Sequence, residues 1–292
     1  MPPRKIDRRQ LLAGGGALTL AGLASAARTE AAETRYDVPR PDTASLYTRA
    51  ELEGYIDRYL EALVAHDPKR APFASDAVFA ENDVRLPLGS ASWKTLDRVG
   101  RYRHYFADPQ NGDAGLIAIV YENGSGAILV LRLKIRNKEI VEAEQCVTRD
   151  AAGAETYEKL GAPDPVWLET IPEAQRQSHD ALRAAAFMYF EALQRNDGAG
   201  IYPFRDDAVR IEHARKVTDL PTVESYGHAD AAFNFTTLKA KAQYEMGMMA
   251  FVSEIRDQRY HVVDVERGAM LATSFYDYYD GLKSITFADG HR

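Results

Sequence analysis

The chain has 292 residues and a single cysteine, Cys146. One thiol cannot close a disulfide within the chain, so packing has to carry its stability. No Cys/His spacing suits zinc, no glycine pattern suits a phosphate loop or a dinucleotide fold, and no Gly-x-Ser-x-Gly elbow occurs. Bound nucleotide, a structural metal and serine-hydrolase chemistry are therefore not expected, and no cofactor is called for. Basic residues are in deficit, 36 Lys and Arg against 43 Asp and Glu, for a formal charge of −7. Without basic clusters the chain is a poor match to nucleic acid, whose binding rests on phosphate neutralisation. It is not drawn to anionic lipid either. Long apolar runs are missing too. The stretch Ala13–Leu23 is weakly apolar, Gly-rich and about half of the ~20 residues that a membrane span needs. Stable membrane insertion is not expected.

That same stretch has another use. It follows Arg8-Arg9 and ends on Ala24-Ser25-Ala26, a small-x-small cleavage site. A basic start, a short apolar run and such a site make a secretory signal, and the paired arginines mark the twin-arginine type. Residues 1–26 are predicted to be a leader and the mature chain to work in the periplasm or outside the cell. Cleavage would remove Arg4, Lys5, Arg8 and Arg9 with Asp7, a net +3, leaving −10. Residues 27–44 are polar, contain proline, and read as a disordered lead-in.

Two halves with the same grammar follow. In residues 45–150, Leu52, Tyr55, Ile56, Tyr59, Leu60 and Leu63 recur at helical spacing over 49–65, and Asp67-Pro68 stops the helix. A short helix is predicted near 70–75. Alternating strands are predicted at 77–86, 101–107, 115–122, 127–136 and 139–148, with Asn123-Gly124 a strong hairpin turn. One helix before an antiparallel meander predicts an α+β domain. Residues 151–176 read as a polar linker. Residues 177–292 repeat the pattern, with a helix at 179–195 and a strand at 204–214. Phe73–Asn82 lines up with Phe204–His213, which implies duplication. Strands are predicted at 258–265 and 269–278, with 284–288 a weaker one. The second half has no counterpart of the strand 139–148. A sheet edge is left open; the half is expected to be truncated or atypical, the alternative being that the linker or another chain in a homodimer supplies the strand.

These stretches resemble the NTF2-like (SnoaL-like) superfamily, a cone of curved sheet with helices across it. More narrowly, the chain is similar to a family of exported proteins from bacteria and fungi with two tandem NTF2-like domains. The resemblance is carried by Ala80–Gly89, Ala107–Gln110, Leu131–Lys134, Glu139–Val147, Arg210–Glu212 and Arg259–Gly268, and it covers most of residues 45–280. It departs in two places: the final strand is lacking, and the Glu-Asn of the second site stands here as Glu212-His213. The resemblance implies an apolar pocket suited to a small apolar or aromatic molecule. It also implies cofactor-independent lyase, isomerase or hydratase chemistry with a carboxylate or His as base. Many relatives only bind, so a binding or scaffold protein is the alternative.

The residues that could serve such a pocket are limited. Tyr102, His104 and Phe106 share one strand face. If that face looks inward, His104 is a base in an aromatic wall; otherwise it is a surface histidine between arginines. Glu144 shares a face with Ile140, Glu142 and Cys146 and is the second catalytic candidate, while Cys146 itself reads as a small core residue. Glu81 and Asn82 either touch a ligand or cap a turn. Tyr59 and Tyr189 hold like positions in the two helices and could bond a ligand oxygen. In the second half Glu212, His213, His261 and Asp264 are candidates, although Asp264 has Arg259 as a partner within reach. Glu212 and His213 are adjacent, point to opposite strand faces and form no dyad.

Overall fold

The computed structural model describes residues 45–198, 200–221, 235–281, 284–288 and 290. The leader at 1–26 and the lead-in at 27–44 lie outside the described residues.

Helix α1 (Arg49–Val64) starts at Thr48, whose hydroxyl accepts from the Glu51 N–H while the Glu51 carboxylate accepts from the Thr48 N–H at 2.7 Å. This reciprocal box satisfies two of the donors that a helix start leaves open. The predicted stripe Leu52, Tyr55, Ile56, Tyr59, Leu60 and Leu63 is the buried face. Asp67 then caps a single 3-10 turn, Pro68–Arg70, where a short helix is predicted slightly later.

Six strands follow: β1 (Phe73–Glu81), β2 (Val84–Leu86), β3 (Leu96–Asp108), β4 (Asp113–Glu122), β5 (Ser125–Arg136) and β6 (Glu139–Thr148). They form one sheet in the order β2-β1-β6-β5-β4-β3. Only β1 and β6 run parallel. Three tight turns, Asn82-Asp83, Asn123-Gly124 and Asn137-Lys138, have both residues at positive φ, as two-residue hairpins of this hand require. Register shifts in β1, β3 and β6 bend the sheet. Helix α1 lies across one face, packed on Leu116, Leu129, Leu131 and Leu133, with Trp93 and Phe79 in the same core. The expected α+β class and helix-on-curved-sheet arrangement hold.

The other face of this sheet is covered as well. Helix α2 (Ala151–Leu160), inside the segment predicted to be a featureless linker, sets Ala154 and Tyr157 on Tyr102, Ile119 and Ile128. Gly126 permits the approach, since a Cβ there would stand 2.9 Å from the Ala154 methyl.

The second half begins with α3 (His179–Gln194), capped by Ser178. A two-residue hairpin follows, β7 (Ile211–Glu212) with β8 (Arg215–Lys216), then α4 (Ala240–Glu245). Strands β9 (Val252–Asp264) and β10 (Ala269–Tyr278) form a two-stranded ribbon. Strand β9 starts earlier than predicted. Of the predicted strand 204–214 only 211–212 is extended and paired; its first-half counterpart β1 leans on β6, and no described strand of the second half plays that part. Residues 284–288 are not a strand. Even so, β9 and β3 have 13 residues each, β10 and β4 have 10, and both turns close on a glycine at positive φ, Gly112 and Gly268. The ribbon lies on the outer face of the large sheet, with Val262 and Leu271 over Phe106 and Gly115. Among the described residues no helix is long and apolar enough to cross a membrane.

Candidate functional site

Strand alternation decides which predicted residues meet. On β6, Gln145 turns toward α1 while Glu142, Glu144 and Cys146 turn to the outer face. The shift that pairs Ile135 with Ile140 but Lys134 with Glu142 puts Ile140 in the α1 core, on the opposite side from Glu144. The expectation that Ile140 shares the Glu144 face is corrected by that bulge. Cys146 is exposed rather than core.

Inside the cone, Tyr59 and Glu81 are joined through Gln145. The Tyr59 hydroxyl donates to Gln145 Oε1 at 2.7 Å, and Gln145 Nε2 donates to Glu81 Oε2 at 2.9 Å. Ser92 completes the group, donating its N–H to the same Glu81 oxygen at 3.1 Å. The Tyr59 ring stands edge-on to Trp93 with centroids 5.1 Å apart, and Trp93 contacts Phe73 and Phe79 in turn. Burial pushes the Tyr59 phenol well above its ordinary value. The interior of this cone is thus filled by its own aromatic side chains around a satisfied polar knot. Asn82 stands beside it as a turn residue at φ 48°, accepting from the Val147 N–H at 2.8 Å.

Tyr102 and His104 lie on the outer face, not in the cone. Tyr102 meets Tyr157 at 4.7 Å and burial raises it to about 12. His104 stacks on Phe106 at 4.3 Å and lies 5.6 Å from Trp167. Burial, with Arg267 adding to it, lowers this imidazole to about 4. Arg103 and Tyr105 take the opposite side of β3, where both reach Asp57 on α1, whereas Arg101 pairs with Glu158 of α2.

Glu144 and His261 come together from the two halves. They line or adjoin a cleft of about 310 Å³ between β1, β5, β6 and β9. Its floor is Val78 and Ala80, and its walls carry Arg85, Arg132 and Arg259 with Asp83, Glu142 and Glu144. Both Glu144 oxygens are held by the Arg259 guanidinium, one at 3.1 Å. Arg259 also reaches Asp83 at 3.2 Å. It therefore pairs with these two acids and not with Asp264. Arg132 holds Glu142, which Lys134 approaches at 3.6 Å. His261 Nε2 lies 2.8 Å from Thr273 Oγ1 and 4.0 Å from Glu144 Oε2. Burial, then Arg132 and Arg259, lower it to about 3.

The remaining residues lie elsewhere. Asp264 is fully buried and accepts from Arg49, from the Ala107 N–H and from the Arg267 N–H. Its first-half counterpart Asp108 is bonded by His179 at 2.9 Å. Each half thus ties the first residue of its helix to the aspartate closing the other half's long strand. Tyr189 is 36% exposed in an aromatic group with Phe190, Phe204 and Tyr244. Glu212 is exposed and bonded to Arg210. His213 is a turn residue at φ 46° whose Nδ1 lies 3.1 Å from Asp150.

Proton transfer at neutral pH works best with a group tuned near 7. His104 and His261 are both pulled far below that. Among the described residues one carboxyl is tuned there, Asp113, which burial pushes up to about 7 although Arg132 and Arg136 oppose it. Asp113 does not line the cleft. The cleft lining itself brings three guanidiniums and three carboxylates together. Among the described residues no group of three His, Cys, Asp or Glu could hold a metal ion. Sequence reasoning missed Gln145, Ser92, Arg132 and Arg259. Alternation on β6 already sets Gln145 opposite Glu144, on the Tyr59 side, whereas the Arg259 contact depends on how the ribbon docks.

The family model "Domain of unknown function (DUF8021)" matches residues 175–291. No curated protein sequence matches the chain. Among solved structures, AclR, a candidate hydroxylase from Streptomyces galilaeus, is 16% identical with a TM-score of 0.29, over 36% of this chain and 93% of its own. An NTF-2 like protein of unknown function from Burkholderia xenovorans LB400 is 13% identical with a TM-score of 0.26, over 35% of this chain and 85% of its own. A candidate ketosteroid isomerase from Kribbella flavida DSM 17836 is 11% identical with a TM-score of 0.27, over 35% and 80%. No functional residue is carried over from any of them.

Proposed function

We propose that this chain is an exported small-molecule-binding protein with two NTF2-like halves, and that it binds in the cleft between them rather than inside a cone. The observation that carries this reading is the cleft itself. It is a concave space with an apolar floor and convergent charged groups, of the size that ligand sites begin at. The packed first cone, with Tyr59 and Trp93 at its centre, argues against a ligand there. Binding without chemistry is favoured over lyase or isomerase action, because both candidate histidines are poor bases and Arg259 occupies both oxygens of Glu144. The second half then acts as a wall that supplies Arg259. Export rests on the paired arginines and cleavage site of residues 1–26.

Native mass spectrometry of the protein purified from the periplasm tests this. A small molecule is expected to copurify and to leave on denaturation. It should be lost in Ala80→Trp, which fills the cleft floor from a half-buried position, and kept in Tyr59→Phe, which alters the cone. Loss in Tyr59→Phe with retention in Ala80→Trp would place the ligand in the cone and overturn the proposal.

A further inference from the structure

Resting on the cleft reading just given, the distribution of unused hydrogen-bonding capacity points to the charge of the ligand. We infer that the cleft receives a small organic monoanion, its carboxylate or equivalent oxyanion against Arg85 and beside the Arg132 guanidinium, and its apolar body over Val78 and Ala80.

The charges of the cleft nominally cancel, with three guanidiniums facing three carboxylates. Their engagement is not symmetrical. Asp83 and Glu144 are both held by Arg259, and Glu142 is held by Arg132 with Lys134 close by. Every acid of the cleft is thus already matched by one of its own cations. On the donor side capacity is left over. Arg85, exposed on β2, forms no ion pair among the described residues. Buried Arg132 Nε has no hydrogen-bond partner among them. An orphaned buried donor is unfavourable unless water or a ligand meets it. A cationic ligand would have to strip an arginine from a carboxylate before binding. An anion needs no such exchange: exposed Arg85 stands open at the mouth, and the Arg132 guanidinium behind it, with its buried Nε–H lacking an acceptor, adds positive charge that Glu142 alone does not fully engage. A planar oxyanion suits a guanidinium in particular, which can present two parallel N–H groups to it. The apolar floor between these donors accounts for an organic body, and the volume of about 310 Å³ keeps that body small.

The experiment is isothermal titration of the full chain with benzoate, benzamide and benzylammonium, probes of similar size and charge −1, 0 and +1. Benzoate is expected to bind at least tenfold more tightly than either other probe. Arg85→Gln should weaken benzoate about tenfold, the scale of one charge-assisted hydrogen bond, and leave benzamide unchanged. Equal affinity for benzamide or benzylammonium, or a benzoate affinity indifferent to Arg85→Gln, overturns the anion assignment. Ala80→Trp separates the two readings. If it abolishes binding of a neutral or cationic probe, the cleft is the site and only the anion assignment falls. If it leaves the binding of every probe unchanged, both fall.

Discussion

Replacing Asp264 by Asn should destabilise the protein far more than an ordinary polar substitution, because Asp264 is a buried acceptor for three donors. Its Oδ1 takes Arg49 Nη2 at 2.5 Å and the Arg267 N–H at 3.1 Å, and its Oδ2 takes the Ala107 N–H at 3.1 Å. An amide has one acceptor oxygen. Whichever way Asn is turned, its NH2 faces a donor already aimed at that place. Arg49, with 14% of its side chain exposed, also loses its best partner and keeps Glu266 and Glu53 at 3.1 and 3.5 Å. Breaking one side of a buried pair costs about 3–5 kcal/mol. For a chain of this size that is roughly 6–20 °C in Tm. The assay is thermal and urea unfolding beside Glu266→Gln, whose partner contact is partly exposed and worth less than about 1 kcal/mol. Arg49→Met combined with Asp264→Asn should lose little more than Asp264→Asn alone, since the stranded charge is gone; such non-additivity reports the pair directly. A loss under about 1 kcal/mol for Asp264→Asn, or full additivity in the double variant, would refute the reasoning.

Other outcomes follow from the same structure. Gln145→Leu removes the acceptor of the Tyr59 hydroxyl and a donor to Glu81 and is expected to destabilise by about 1–3 kcal/mol in urea. Gly115→Val would drive a side chain toward Leu271 and Val262, which stand 2.9 and 3.2 Å from a Cβ; overpacking of about 1–3 kcal/mol should appear as faster hydrogen exchange in β9 and β10. His261, at about 3 when folded, binds fewer protons than the unfolded chain from its ordinary value down to about 3. Its contribution is complete above pH 6.5 and is lost as pH falls through that window, so His261→Gln should flatten the acid side of a urea-midpoint profile. Asp113 has the opposite sign, being raised to about 7. Its contribution is complete below the ordinary carboxyl value and is lost as pH rises through 7, so Asp113→Asn should gain stability at pH 8 and none near pH 4.

Where a side chain's fate follows from local period, the sequence discloses it. The α1 stripe, the Asn-Gly turn and the strands at 115–122, 127–136 and 139–148 all rest on helical spacing, alternation or turn chemistry within a few residues, whereas the single strand expected at 77–86 is a hairpin that turns at Asn82-Asp83. The errors have equally local causes. A single bulge in β6, at Val141 opposite β5, moves Ile140 to the other face from Glu144. Residues 204–210 carry a strand pattern, yet a strand needs a neighbour, and none of the described second-half strands offers the parallel partner that β6 gives β1. Helix α2 is short and polar, with only Gly153 and Ala154 buried, so its apolar signal is too thin to see. For the site, Glu144 was legible as an acid on an otherwise apolar strand, but its partner was not. Arg259 is 115 residues away in sequence, and the contact exists only because the β9–β10 ribbon lies over Gly115. The same holds for the two cross-ties, Arg49 with Asp264 and His179 with Asp108, which join helix starts to strand ends across the halves.

The most direct test of ligand placement is a crystal soaked in 4-bromobenzoate, with the bromine located by anomalous scattering. The account expects a bromine peak over Val78 and Ala80, with the carboxylate turned to Arg85 and Arg132. A peak inside the first cone beside Tyr59 and Trp93 would contradict it, as would an empty cleft at a concentration that saturates the protein in solution.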